Sequence, residues 1–250
     1  MRKHLSMIFT GFLLIALTAC GTELSVEEVL EQATKASEEL DSYTADMNIS
    51  TEFMGLDVSV NAVGDVTLDP DTMYMEMSIG AAGITMDVDV YMANEEVYMS
   101  IFDQWIVMDE DEFDSDSFNV DEQLDGLDEF VEQFEMTVED DVYVLTLNDS
   151  GDEFEEYIRP FLEASLAETG ANHPDFDEDI SFSVNNVDMR IQVDKETMVV
   201  QSQVLEADLE IDEEPVQIQV EMDISNINEV EPIEIPDDVK DNAVPEDFLG

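Results

Sequence analysis

The sequence predicts an α+β fold built on one large antiparallel sheet, and three observations carry that reading. Most of the chain from Tyr43 onward alternates apolar and polar residues with a period of two. A helix-period segment leads it, and two more interrupt the strands near the middle. The connections between alternating segments are short, which favours a meander over parallel crossovers.

The leading helix spans residues 25–40. Val26, Val29, Leu30, Ala33, Ala36 and Leu40 recur at helical spacing, Ser25 and Glu28 are spaced as a capping box, and Leu24 and Val29 as a hydrophobic staple. The strands begin at Tyr43. In the next long one, Leu56, Val58, Val60, Ala62, Val66 and Leu68 fall on one face and Asp57, Ser59, Asn61, Asp65 and Thr67 on the other. Asp69-Pro70-Asp71 turns the chain. Met73, Met75 and Met77 resume the alternation, Gly80 to Gly83 turns it again, and Ile84, Met86, Val88, Val90 and Met92 repeat it. Val97 to Ile101 and Trp105 to Met108 add two short strands.

Leu124, Leu127, Val131 and Phe134 then mark a helix near 121–135. A stronger helix near 151–168 carries Phe154, Tyr157, Ile158, Phe161, Leu162 and Leu166, with Pro160 inside it as a kink. A strand at Val142 to Leu147 lies between the two. Strands return at Ile180 to Val193, with a phase slip at Asn185-Asn186 that predicts a bulge, then at Thr197 to Ile211 and Val216 to Ile227. The tail from Ile233 to Gly250, with Pro236 and Pro245, is expected to run across the surface.

Composition narrows the function. Seven basic residues against 65 acidic ones give a formal charge of −58, a surface that repels nucleic acid because phosphate contact needs clustered Lys and Arg. Hydrophobic residues make up 44% of the chain, enough for a core, so the acidity is not the signature of disorder. Self-repulsion on this scale is best tolerated where salt screens it, which points to a saline or alkaline exterior. One cysteine in 250 residues leaves no intrachain disulfide.

That cysteine is Cys20, and it closes a leader. Arg2 and Lys3 form a basic start, Leu5 to Leu17 an uncharged apolar run too short to span a bilayer comfortably, and Leu17-Thr18-Ala19-Cys20-Gly21 the end. This end resembles a bacterial lipobox. The resemblance implies cleavage behind Ala19, diacylglycerol on Cys20 and a chain anchored to the outer side of a cell membrane, since two acyl chains suffice for stable anchoring. The organisation expected is a signal peptide over 1–19, the lipidated Cys20 with a short tether over 20–24, and a single domain over 25–250. Four residues between Cys20 and the helix reach about 14 Å at most, keeping the domain near the membrane.

The chain also resembles the LolA-like superfamily of bacterial lipoproteins and lipoprotein-localisation factors, and more specifically Gram-positive lipoproteins of unknown function within it. The residues that carry the resemblance are Ser25-Val26-Glu27-Glu28-Val29-Leu30, Leu40-Asp41-Ser42-Tyr43 and Ile235-Pro236-Asp237-Asp238-Val239. It implies a curved, half-open barrel whose concave face is covered by the N-terminal helix and the two inserted helices and can enclose an apolar ligand. The early strands hold no arginine to match the one such carriers can use in ligand handling.

Candidate lining of that concavity is Met75, Met77, Met86 and Val88 from the strands, with Phe154, Tyr157 and Phe161 from the kinked helix. Thioether side chains suit a pliable cavity, and they equally suit ordinary core filling. A Cu(I) site would need supporting Cys or His that the sequence does not place nearby. Asp175, Asp177 and Asp179 imitate the start of a calcium loop, but Ile180 and Asn186 stand where Gly and Glu are needed, so no metal site is expected there. The run from Asp109 to Asp116 reads as a solvated acidic segment. No nucleophile elbow, phosphate loop or HExxH helix is present, His173 is the one histidine after the leader, and no cofactor or catalysis is expected. Two functions remain. One is a membrane-anchored lipoprotein that binds a lipid or other apolar ligand in the half-barrel; the other is a structural or regulatory envelope lipoprotein with a filled core.

Overall fold

In the computed structural model the described residues are 24–53, 55–102, 104–109, 120, 124, 126–149, 154, 182–211 and 214–245. The chain opens with helix α1 (Val26–Glu38), capped as its sequence requires: Ser25 Oγ accepts the Glu28 amide, and the Glu28 carboxylate accepts the Ser25 amide at 2.9 Å. Strands β1 (Ser42–Phe53), β2 (Leu56–Leu68), β3 (Asp71–Ala81), β4 (Ile84–Ala93), β5 (Glu96–Ile101) and β6 (Gln104–Asp109) then form an antiparallel meander. Strands β7 (Phe134–Glu139), β8 (Val142–Asp149), β9 (Phe182–Asp194), β10 (Val200–Ile211) and β11 (Glu214–Ser225) form a second one, which walks back until β11 pairs with β1.

The result is one open twelve-stranded sheet in the order β12-β6-β5-β4-β3-β2-β1-β11-β10-β9-β8-β7. Its last strand, β12 (Val244–Pro245), adds to β6 in parallel and covers that edge. This is the α+β fold on one large antiparallel sheet expected from the alternation, and its open, unclosed sheet is the half-barrel that the resemblance implies. The predicted slip at Asn185-Asn186 is a bulge, since Asp208 pairs with Asn186 and Leu209 with Val184, leaving Asn185 as the extra residue.

One face of the sheet is apolar and packs under α1. Val29, Leu30 and Ala33 of the helix join Tyr43, Ala45, Ala62, Val66, Met73, Met75 and Val90 of the strands in one core. Small residues let β2 and β3 close up beneath it. A Cβ on Gly64 would stand 2.5 Å from the Tyr74 carbonyl oxygen, so only glycine fits between these strands.

One expectation among the helices needs correction. Over the helix expected near 121–135, Val120 and Leu124 are helical, a 3-10 helix runs over Leu127–Gln133, and Phe134 already belongs to β7. Gly126, with φ +79, breaks the segment, and Phe134 and Met136 alternate inward as strand residues, a pattern too short to read beside the helical spacing of Leu127 and Val131. The helix expected at 151–168 lies outside the described residues except for Phe154, which is fully buried with its ring 5.0 Å from that of Phe130.

The tail, expected to run across the surface, also contributes to a core. Ile235 and Val239 are buried on the other face of the sheet against Ala93 and Tyr98, with helix α2 (Asp237–Asn242) leading into β12. Hydrogen bonds fix the path into it. Thr67 Oγ1 donates to the Pro70 carbonyl at 2.6 Å and shares 2.7 Å with the Thr72 hydroxyl, which accepts the Ile233 amide at 2.9 Å. Each of these buried hydroxyls thereby keeps a partner.

Candidate functional site

Burial along the apolar face is graded from one end of the strands to the other. Tyr43, Val66, Met73 and Met92 lie near the end where β1 begins, and all are buried. Farther along, register aligns Leu205, Val220, Ile49, Val60, Ile79 and Met86 across β10, β11, β1, β2, β3 and β4 as a single row. Every side chain in that row is apolar and only half-buried. Five strand spacings of about 4.8 Å make it about 24 Å long. Beyond it, Leu56 and Ile84 on the same face are exposed.

The grading is asymmetric. On β9, β10 and β11, Val184, Val187, Leu209 and Val216 stay buried to the far end, whereas the corresponding parts of β2, β3 and β4 open to solvent. Beyond the row, the face is therefore open over β2–β4 and packed over β9–β11.

The candidates named from the sequence divide accordingly. Met75 and Val88 are buried, at 1% and 3% exposure, and belong to the packed layer. Met77, paired with Val88, is half-buried one rung below the open row, and Met86 lies in the row itself. Phe154 sits in the core beside Phe130. Tyr157, Phe161 and Cys20 lie outside the described residues, as do Asp175, Asp177 and Asp179. Ile49, Ile79, Leu205 and Val220 were not singled out from the sequence. Their alternation was legible, but the row exists only once the register across six strands is known.

The opposite face is polar and strongly acidic. Asp46, Glu76, Asp87, Glu206, Asp208, Glu221 and Asp223 all lie on it or along it, and a groove of about 420 Å³ bordered by Glu52, Asp57, Asp188, Glu206 and Asp208 opens near the strand ends. Among the described residues, no three His, Cys, Asp or Glu side chains converge as a metal site. A belt of aromatic rings crosses this face. Tyr74 stacks on Tyr91 at 4.5 Å, and Tyr91 meets Trp105 at 5.8 Å. Burial raises the Tyr74 phenol far above its ordinary range, and the carboxylates of Asp89 and Glu76 raise it further. The apolar face offers hydrocarbon surface only partly removed from water; the polar face offers carboxylates that, among the described residues, do not converge.

No helix among the described residues is long and apolar enough to cross a membrane. A family model described as a family of unknown function (DUF6612) matches residues 25–244. No curated protein matches the chain. Among solved structures it is similar to LprF from Mycobacterium bovis, with 14% identity, a TM-score of 0.47, and 85% of this chain and 96% of that one covered. It is also similar to the lipoprotein LppX from Mycobacterium tuberculosis, with 11% identity, a TM-score of 0.44, and coverage of 84% and 98%. A LolA superfamily protein from Nitrosomonas europaea aligns over 87% of this chain and 97% of its own, at 9% identity and a TM-score of 0.21.

Proposed function

The chain belongs to the DUF6612 family of unknown function, and for this member we propose a membrane-anchored extracytoplasmic lipoprotein that holds a lipid or other apolar ligand on its open concave face. The observation that carries the reading is the half-buried row Leu205–Val220–Ile49–Val60–Ile79–Met86. An apolar row of about 24 Å suits an extended hydrocarbon chain. Each 100 Å² of apolar surface covered there contributes about 2.5 kcal/mol before the costs of association. With no charged side chain in the row, covering it carries no cost of desolvating a charge. The leader ending in Ala19-Cys20 supports anchoring, with acylated Cys20 holding the domain to the outer face of the membrane.

A second reading, a structural envelope lipoprotein with a filled core, draws on the tight packing of Met75 and Val88. One experiment separates the two. Protein stripped of co-purified lipid is titrated with a fluorescent fatty-acid analogue, and the Ile79→Ser and Met86→Ser double variant is compared with it by the same titration and by circular dichroism. The carrier reading expects saturable binding that weakens at least tenfold in a variant that remains folded. Absence of binding by the unmutated, stripped protein leaves the structural reading.

A further inference from the structure

We propose that the end of the sheet formed by the hairpins β1–β2, β3–β4 and β5–β6 is a membrane-contacting rim that dips into the interface of an uncharged bilayer. In an antiparallel meander every second turn lies at the same end, so these three hairpins share one end while β2–β3 and β4–β5 turn at the other. Five large hydrophobic side chains are strongly exposed among the described residues, and three of them, Leu56, Ile84 and Phe102, stand at these three turns. Ile84 is 74% and Phe102 83% exposed. Isolated exposed hydrophobes are ordinary, but a set gathered at one end of a fold marks a surface that meets something apolar.

Charge selects the partner. In a chain of net charge −58, the stretch Ile79-Gly80-Ala81-Ala82-Gly83-Ile84-Thr85-Met86 carries no ionisable side chain, so this hairpin enters a low-dielectric layer without desolvating a carboxylate, whereas Glu52 and Asp57, which flank the β1–β2 turn, keep that hairpin at the hydrated headgroup level. A second copy of the chain is disfavoured as the occupant, because it brings the same net charge against the first. A zwitterionic bilayer does not. Gly83, at φ +79, makes the tight turn that leaves Ile84 projecting.

The rim is continuous with the open part of the apolar face. Leu56 and Ile84 continue the alternation of Val60 and Met86, so the row ends where the membrane would begin. The β4–β5 register brings Phe102 level with Asp87, three residues short of Ile84, so the rim slopes by about 10 Å. The contact requires neither a bound ligand nor acylation of Cys20.

The test uses the full chain carrying Cys20→Ser, so that an added cysteine is its single thiol. A polarity-sensitive fluorophore is attached either at Ala81→Cys, on the rim, or at Glu229→Cys, by the start of β1 at the other end; both positions are exposed. Each labelled protein is mixed with phosphatidylcholine vesicles, with and without brominated acyl chains. The expected result is blue-shifted emission and bromine quenching for the Ala81→Cys label alone, both lost when Ile84→Ser and Phe102→Ser are added. Equal response at the two positions, or response at neither, overturns the proposal. A shift that follows protein concentration without vesicles assigns the rim to a second copy and overturns it as well.

Discussion

Asp46 lies directly opposite Asp223 across the β1–β11 pairing that joins the two meanders, with both side chains exposed. Like charges facing each other across an antiparallel pair are destabilising, by about 0.2–1 kcal/mol. Glu76 faces Asp89 in the same way on β3 and β4, so the acidity inferred from composition acts at defined pairs. Thermal stability at neutral pH should therefore rise from low to molar sodium chloride, as the Debye length falls from about 10 Å at 0.1 M to about 3 Å at 1 M. Asp223→Asn should raise the melting temperature at low salt and lose that advantage in molar salt. An equal gain in both salts would mean that the pair is not the cause.

Asn228 ties the return from β11 to the start of β1. Its side-chain oxygen accepts the Asp41 amide at 2.7 Å and the Ser42 amide at 3.4 Å, while its own amide donates to the Ser42 carbonyl at 2.7 Å. Its φ is +56, a conformation costly for most side chains. Asn228→Ala loses the acceptor and strains the backbone, and should cost about 2–3 kcal/mol. Asn228→Gly loses only the acceptor and should cost less. Chemical denaturation in molar salt, where repulsion is screened, measures both.

Asp194 caps the β9–β10 turn. One carboxylate oxygen accepts the Thr197 amide at 2.8 Å, the Glu196 amide at 3.0 Å and the Thr197 hydroxyl at 2.9 Å. The Thr197 amide, first among these causes, holds the Asp194 carboxyl below its ordinary range against the opposing effect of burial. A lowered folded-state pKa stabilises the fold above the unfolded value of about 3.9, and the contribution disappears as pH falls through the lower, folded value. The stability difference between the unmutated protein and Asp194→Asn should thus be largest at neutral pH and shrink below about pH 4. A difference independent of pH would remove the charge from the explanation.

The sheet was legible in the sequence because apolar residues alternate with mostly polar ones along the long strands, as in Leu56 to Leu68. β7 was not, since Phe134 and Met136 follow a helical spacing in Leu127 and Val131 and the strand has only six residues. The burial of Ile235 and Val239 was equally hidden, because their partners Ala93 and Tyr98 are distant in sequence. For the candidate site, composition pointed to methionines, whereas the open row is mostly Ile, Leu and Val and is defined by register. Met86 belongs to both descriptions; Met75 and Val88 proved to be core.

The central claim is that the open apolar face carries a ligand. Native mass spectrometry of the full-length protein, purified from the membranes of its own host and followed by solvent extraction, addresses it most directly. The account predicts a stoichiometric apolar molecule, released by solvent and diminished in the Ile79→Ser and Met86→Ser double variant. A protein that leaves its host with no bound molecule, and binds none after exposure to the host's extracted lipids, would contradict it.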